Sequence, residues 1–419
     1  MPLRAFKSAV SLALPLTLFM TACTDSTPPD TPRVPSSSQL DAAIAYIPTK
    51  ELTTEEQQVA GQVSEMAEQL HLQAAAHVET LGTSIKQLRQ KPTWANLQEA
   101  RQHWLEAHRS MQALWSLYVL DQPAALLERQ PANSAFTYGS LIDQTPMLAG
   151  YLDTVGGYPA SGLIHALDLP ISQPLLEDKH LFADPMFLTF GMHPLEFILW
   201  SKQGLEKDLS SSAMLSAQAP DNNLALDTNN GALNTDTGLD EQVSDSLQSK
   251  STLMIKPTLD RRLALADTIA SALANHLNQL HSQWTHSNVV NAFLAFSSSP
   301  KMRDEQNPQL ELVMRNIDRQ ILFALTPLEG EPGWHYQEHM AFSQETNHFW
   351  QGRMEGLKAG IVLWDNPEEA FDNLLEELSS CLTSLSATST SQQEEVQVCE
   401  SQALELREKL IVRFAELTP

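Results

Sequence analysis

His193 and Glu196 are the residues of this sequence whose types and spacing could do chemistry. They lie three residues apart in the segment Gly191-Met192-His193-Pro194-Leu195-Glu196, so a helix would project both side chains from one face. An imidazole and a carboxylate on one face can supply two ligands to a divalent or ferric ion, such as zinc or iron. The same spacing also fits a buried histidine that is hydrogen-bonded to a glutamate, so both interpretations stay open.

Gly191 and Pro194, next to His193, are residues typical of a helix start. Pro194 is accepted only in the first turn of a helix, so the sequence predicts a helix that begins near His193 and reaches Trp200. Gly191 lets the chain turn sharply or approach another segment closely just before this helix. The standard motifs of zinc proteases are absent, because Phe197 occupies the place that a second histidine would need.

Further histidines could complete a site only if folding brought them to the pair. His103 and His108 lie five residues apart, which places them on different faces of a helix. These two residues and three later ones are predicted to be surface or helix-capping histidines: His335, His339 and His348.

Helices are the elements predicted to position these groups, because glycine is scarce and no strand–turn–strand alternation is present. Apolar spacing predicts helices at 54–89, 93–120, 259–284, 308–325, 343–362, 366–385 and 393–417. Residues 204–252 are rich in Ser, Asn, Asp and Thr, which predicts a mostly disordered acidic insertion. We therefore predict an all-α fold of two tandem, four-helix-bundle-like domains, at 51–203 and 253–419, with a cleft between them.

The first 23 residues have the features of a targeting signal. Arg4 and Lys7 precede an apolar stretch at 9–20 that is too short to span a bilayer as a stable helix. The following Met20-Thr21-Ala22-Cys23 is similar to the lipobox of bacterial lipoproteins, in which the cysteine is acylated. We therefore predict lipidation at Cys23; ordinary secretory cleavage nearby is the alternative.

A tether follows the predicted lipidation site. Residues 24–50 begin with a Pro/Ser/Thr-rich run that cannot bury a core. Thr24, rather than an aspartate, follows Cys23, and by similarity to known sorting rules this favours the outer membrane. The predicted location is the bacterial cell envelope, with the protein anchored by lipid and facing the periplasm.

Charge and cysteine content limit the partners and the redox chemistry. The chain has 26 Lys and Arg against 51 Asp and Glu, a net charge of −25, which excludes nucleic acid as a natural partner and favours cations.

Cys381 and Cys399 flank a polar run at 383–397. If this run lies within a helix–loop–helix hairpin, the two cysteines face each other and export would permit a disulfide; two free buried thiols are the alternative.

Several segments resemble the imelysin-like family. The segment that contains His193 and Glu196, with its tail Phe197-Ile198-Leu199-Trp200, resembles the GxHxxE motif of that family. Three further segments are similar to other family segments: Ala100-Arg101-Gln102-His103-Trp104-Leu105-Glu106-Ala107, Arg261-Arg262-Leu263 with Trp284, and His339-Met340-Ala341-Phe342-Ser343-Gln344-Glu345-Thr346. Together they extend over about residues 55 to 417.

This resemblance implies a fold, a site and a cellular context. Family members are pairs of helical bundles with the GxHxxE residues near the cleft, and they are envelope proteins that are often iron-regulated or linked to iron uptake. His193 and Glu196 would then be the metal ligands, and Gly191 would shape the motif. Ser343 and Thr346 would line the opposite wall of the cleft.

The chain departs from the family at positions near this site. Where the family continues with an arginine, a tyrosine and a glutamate, this chain has His108, Met111 and Trp115, and Gln344 and Glu345 replace the two central residues of the late segment. A lost carboxylate reduces the capacity for general-base catalysis, so no catalytic residue is assigned.

The sequence thus predicts a binding protein rather than an enzyme. We expect a metal-binding or iron-related accessory protein of iron uptake, which would act with iron-uptake proteins of the envelope. A metallopeptidase that uses His193 and Glu196, and a non-catalytic scaffold that binds a partner, are the alternatives.

Overall fold

The described part of the chain is helical. A computed structural model of the protein describes residues 53–118, 141–218, 240–286, 308–330, 332–362, 369–389 and 392–417. Its α-helices are α1 (Thr54–Gln90), α2 (Trp94–Tyr118), α3 (Gln173–Lys179), α4 (Met192–Trp200), α5 (Leu205–Gln218), α6 (Asp240–His286), α7 (Pro308–Asn316), α8 (His335–Glu338), α9 (Thr346–Val362), α10 (Glu369–Ser384) and α11 (Gln393–Leu417). Short 3₁₀ turns occur at Ala149–Tyr151, Leu163–His165 and Phe323–Leu325, and a π-helix at Ile317–Leu322. These ranges contain no β-strand, so the predicted all-α class is confirmed. Among the described helices, none is both long and apolar enough to cross a membrane.

The long helices α1 and α2 follow from their sequence patterns. Buried residues of α1 recur at intervals of three and four and make one apolar stripe: Ala67, Leu70, Ala74, Val78, Leu81, Ile85 and Leu88. Pro92 prevents α1 from continuing, and the Thr93 hydroxyl accepts the N–H of Asn96 (3.3 Å) where α2 starts. Because only three residues separate the two helices, α2 packs against α1, while α6 covers another side of α1.

Glycines bring α2 and α9 into close contact. A Cβ atom on Gly352 would overlap the carbonyl oxygen of Arg109, and one on Gly356 would lie 2.6 Å from the Cβ of Ser116. These two glycines lie one turn apart on the face of α9 that meets α2. The two backbones are therefore closer than any larger side chain at these positions would permit.

Gly191 sets the start of α4 against the segment that contains Asp143. Gly191 has φ of +107°, and a Cβ atom there would lie 2.8 Å from the carbonyl oxygen of Ile142, so both backbone conformation and space require glycine. From Met192 to Leu199 every residue of α4 is buried. The indole of Trp104 donates to the carbonyl of Met192 (2.9 Å), which fixes the first turn of α4 against α2.

Two consecutive arginines of α6 hold the irregular segment that precedes α4. The guanidinium of Arg261 donates to four carbonyl oxygens at 2.8–2.9 Å, those of Leu163, Ile164, Ala166 and Leu169. Arg262 is buried and donates to both carboxylate oxygens of Asp153 (2.6 and 2.8 Å), and it also pairs with Asp208 of α5. The irregular segment is thus fastened to a long helix by charged and backbone groups.

The predicted acidic insertion is partly helical. Residues 205–218 form α5 and residues 240–252 belong to α6, so the prediction of disorder is wrong for these two stretches. Leu205 and Leu209, one turn apart, are buried, and Asp208 pairs with Arg262, which explains why a largely polar stretch folds here. Residues 219–239 lie outside the described residues.

The domain boundaries predicted from the sequence stay a prediction. All described residues belong to one compact unit, and one core cluster contains residues from α1 to α11. The predicted signal segment 1–23 with Cys23, and the tether 24–50, lie outside the described residues. In the described part, Cys381 of α10 and Cys399 of α11 form a disulfide with their Cα atoms 5.5 Å apart.

Candidate metal centre

Four side chains from separate parts of the chain converge on one point. They are His108 of α2, Asp143, His193 of α4 and His339, which directly follows α8, and one ligand atom of each lies within 4.8 Å of the others. The Nε2 atoms of His193 and His108 lie 2.9 and 3.6 Å from Oδ1 of Asp143. Nδ1 of His339 lies 3.9 Å from Oδ2 of the same carboxylate. Ligand atoms around one first-row ion are separated by about 3–3.5 Å, given bonds of about 2 Å, so these residues fit an ion after small adjustments.

Three of the convergent atoms are buried and lack a partner outside the group among the described residues. His108 and His193 are 0% and 1% exposed, and the side chain of Asp143 is 2% exposed. Apart from contacts within the group, Asp143 Oδ1, His193 Nε2 and His339 Nδ1 have no hydrogen-bond partner among the described residues. Buried polar atoms without partners are costly. A cation is the ligand that would satisfy two imidazole nitrogens and a carboxylate oxygen together.

Glu196 lies behind His193 and not in the group of four. Its Oε2 faces Nδ1 of His193 at 3.3 Å, while Oε1 accepts the backbone N–H groups of Phe342 (3.2 Å) and Ser343 (2.8 Å). A carboxylate that receives the Nδ1 proton leaves the Nε2 lone pair of a histidine for a ligand. The structure therefore brings the two motif residues together, with Glu196 in contact with the imidazole; its direct binding to an ion stays a prediction.

The charges of Asp143 and His193 stabilise each other. Burial lowers the pKa of His193, but the neighbouring carboxylates of Asp143 and Glu196 outweigh it and raise this pKa to about 9. Burial likewise opposes the charged form of Asp143, yet the neighbouring histidines together hold its pKa well below the usual range. Because a metal ion needs a neutral imidazole, an ion and the proton on His193 compete for this position.

Two further groups have shifted pKa values around the centre. Burial lowers the pKa of His339 well below its usual value, so the imidazole is neutral at physiological pH. Burial also lowers the pKa of the nearby Arg353 guanidinium to about 9, partly opposed by Asp143, and Arg353 thus stays charged at neutral pH.

The residues predicted to line a cleft have different surroundings. Gly191 lies at the start of α4 and contacts the segment that leads to Asp143. Ser343 is buried, donates its backbone N–H to Glu196, and has no partner for its hydroxyl among the described residues. The hydroxyl of Thr346 donates to the carbonyl of Leu385 (2.7 Å), just after α10, and so fastens the start of α9; Thr346 is not one of the four convergent residues.

Sequence reasoning missed three members of the group. The prediction that His108 is a surface or capping residue is wrong, because His108 is fully buried. His339 is the C-cap residue of α8, as predicted, but its side chain also lies against Asp143 and is 17% exposed. Two signals could have found them: His108 stands where the related family has an arginine, and His339 opens the late family-like segment. Asp143 has no such signal, because it lies outside every motif. His103, His335 and His348 are not part of the group.

Two of the departures from the family pattern, His108 and Trp115, lie at this centre. Trp115, which stands where the family has a glutamate, donates its indole N–H to Oδ2 of Asp143 at 2.7 Å. The amide of Gln112, one turn before it, donates to the same oxygen at 2.7 Å. Oδ2 of Asp143 therefore has two donors, and Oδ1 faces the imidazoles of His108 and His193.

Comparison with known proteins places these residues in a family context. A family model described as Imelysin, a peptidase family numbered M75, matches residues 67–403. This range includes all four convergent residues and the GxHxxE motif. A comparison with curated proteins finds no match. Since the match extends over most of the chain, the protein belongs to the imelysin family.

Proposed function

We propose that this protein binds a transition-metal ion through His108, Asp143, His193 and His339, and that it serves as a binding or accessory protein in iron acquisition. The observation that carries the proposal is the buried convergence of three imidazoles and one carboxylate within 4.8 Å. Imidazole and carboxylate ligands without thiolates suit iron and zinc. Membership of the imelysin family supports the link to iron.

The cellular part of the proposal rests on the N-terminal sequence. Met20-Thr21-Ala22-Cys23 supports lipidation at Cys23, and the tether at 24–50 would hold the helical body away from the bilayer. We place the protein on the periplasmic side of the envelope, anchored in the outer membrane, where it would meet metal ions before iron-uptake proteins of the inner membrane do.

Binding has more support than peptide hydrolysis. A metallopeptidase needs a carboxylate that is free to activate water. Both oxygens of Glu196 already face donors, the His193 imidazole and two backbone N–H groups, and Oδ2 of Asp143 accepts from Gln112 and Trp115. A scaffold that binds only a partner protein would leave the unpartnered imidazole and carboxylate atoms without a role.

Equilibrium dialysis of the purified protein against Zn²⁺ and, without oxygen, Fe²⁺ tests this proposal. We expect one bound ion per chain, and loss of that ion in the variants His108→Ala and His193→Ala. The matched control is His335→Ala, which removes a histidine outside the four-residue group and should bind one ion as before. Circular dichroism verifies that each variant is folded.

Two results would overturn the proposal: no metal bound by the unaltered protein, or equal binding by His193→Ala. The role in iron acquisition is tested separately by growth under iron limitation, where a strain that carries only the His193→Ala protein should grow as poorly as one that lacks the protein.

A further inference from the structure

Arg353 is a buried cation beside the metal centre without a carboxylate at ion-pair distance among the described residues. It is 7% exposed, and its guanidinium lies 4.1 Å from the ring centroid of Phe349. Its Nε donates to Oε1 of Gln112 (3.1 Å), and its Nη1 donates to the carbonyl oxygen of Gln320 in the π-helix. Buried charges that do not form an ion pair need a specific reason to be kept.

The guanidinium fixes the orientation of the Gln112 amide. Arginine can only donate hydrogen bonds, so the amide oxygen of Gln112 must face Arg353. The amide NH₂ group then points the other way. There it lies 2.7 Å from Oδ2 of Asp143 and 3.1 Å from Nε2 of His108, so each of its two N–H groups has a neighbour that can accept.

This orientation determines the tautomer of His108. An N–H group that points at Nε2 requires a lone pair there, so the proton of the neutral ring is on Nδ1. The alternative, an Nε2–H group that donates to Asp143 Oδ1, has a distance of 3.6 Å, too long for a hydrogen bond. Nδ1 of His108 has no partner among the described residues in either tautomer, so the assignment rests on the contacts of Nε2.

The same orientation distinguishes the two oxygens of Asp143. Gln112 and Trp115 both donate to Oδ2, whereas Oδ1 accepts no hydrogen bond from the described residues and lies 2.9 Å from Nε2 of His193. The lone pairs of Oδ1 and of His108 Nε2 are thus directed to the point where the four side chains converge.

We infer that Arg353 and Gln112 are positioning residues of the metal centre: Arg353 sets the Gln112 amide, which holds His108 with an unprotonated Nε2 and Asp143 with Oδ1 available. This inference rests on the proposed function for the identity of the ligand. The tautomer of His108 itself belongs to the metal-free protein and can be measured without a metal.

The first experiment is ¹⁵N NMR of histidine-labelled, metal-free protein. In the unaltered chain we expect the shifts of an imidazole protonated on Nδ1 at His108. In Gln112→Glu the new carboxylate keeps the contact with Arg353 but has no N–H to donate, so the proton should move to Nε2. The control Arg109→Met removes an ion pair between the same two helices, that with Glu355, and should leave the tautomer unchanged.

The second experiment is Zn²⁺ titration of the full chain. Arg353→Met and Gln112→Met should raise the Kd by about 10- to 100-fold, the usual effect of removing a group that orients a ligand. Arg353→Lys, which can still donate to the Gln112 oxygen, should recover most of the affinity, and Arg109→Met should bind as the unaltered protein does.

The outcomes separate this inference from the proposed function. A His108 tautomer that is protonated on Nε2 in the unaltered chain, or unchanged in Gln112→Glu, overturns the inference even if Arg353→Met fails to fold. Zinc binding by the unaltered protein with equal affinity in a folded Arg353→Met variant also overturns it. If the unaltered protein binds no zinc, the proposed function fails, and the NMR result alone decides whether Arg353 and Gln112 set the tautomer.

Discussion

At the scale of the residue, Glu196 is the acceptor for three donors. Its two oxygens face Nδ1 of His193 and the backbone N–H groups of Phe342 and Ser343. A carboxylate can accept from all three, whereas an amide has a single acceptor oxygen. Glu196 therefore has two separable roles, one toward the imidazole and one toward the backbone of the segment after His339.

Substitution of Glu196 should separate these roles. In Glu196→Gln the amide oxygen can serve the backbone, but its NH₂ group then meets Nδ1 of His193. The neutral form of His193, which a metal ion needs, should then hold its proton on Nε2 instead of Nδ1, so zinc affinity should fall by about 10- to 100-fold with little loss of stability. Glu196→Ala should in addition lose about 1–3 kcal/mol of unfolding free energy, because the buried N–H of Ser343 and the half-buried N–H of Phe342 lose their acceptor.

Zinc titration and urea unfolding of both variants provide the measurement. Equal zinc affinity of Glu196→Gln and the unaltered protein would show that the contact with His193 has no effect on binding. Equal stability of both variants would contradict the backbone role.

At the scale of the element, the distance between α2 and α9 controls the centre. His108 and Gln112 are on α2, and Arg353 is on α9, next to Gly352. Because Gly352 and Gly356 allow the two backbones to touch, the Arg353 guanidinium reaches the amide of Gln112.

Gly352→Ala should therefore lower both stability and metal affinity. The new Cβ would overlap the Arg109 carbonyl, and relief of that overlap costs about 1–3 kcal/mol and moves Arg353 away from Gln112. Gly360→Ala in the same helix is the matched control, since its Cβ would meet only ordinary contacts, with Val313 at 3.5 Å. That control should be as stable as the unaltered protein or gain about 0.5–1 kcal/mol from the higher helix propensity of alanine.

Thermal unfolding and zinc titration of these two alanine variants measure the effect. Similar stability of both would mean that α2 and α9 can separate without cost.

The elements that sequence could predict are those whose pattern is local. The stripe of α1 and the glycine–histidine–proline start of α4 predict helices without knowledge of the fold. α5 is not predictable in this way, because its residues 205–212 are polar apart from Leu205 and Leu209, and the burial of these two leucines depends on tertiary contacts.

The site was predictable only in part for a related reason. The spacing of His193 and Glu196 predicts their contact, since both are on one helix. His108, Asp143 and His339 are far from this pair in sequence. No local sequence pattern predicts that folding brings these three residues to His193.

At the scale of the whole molecule, the disulfide Cys381–Cys399 links the last two helices. It closes a loop of 18 residues, for which the chain-entropy model gives about 3 kcal/mol of stabilisation. A disulfide also agrees with the predicted export to an oxidising compartment.

Replacement of both cysteines by serine should thus lower the unfolding free energy by about 3 kcal/mol. Urea unfolding of Cys381→Ser/Cys399→Ser beside the unaltered protein, with and without reductant, tests this value. The reductant should destabilise only the unaltered protein. A double variant as stable as the oxidised protein would contradict the prediction.

The π-helix at Ile317–Leu322 has a consequence for how the chain can change in length. Its wider turn accommodates an extra residue relative to an α-helix, and the carbonyl of Gln320 in it accepts from Arg353. Deletion of one residue here would let this turn close as ordinary α-helix, with the buried Leu312 and Val313 of α7 still facing the core, and would draw the carbonyl of Gln320 into the helical ladder and away from Arg353. The length of this turn is consequently tied to the contact with Arg353, and a one-residue deletion there would disturb the centre without altering any residue that could bind an ion.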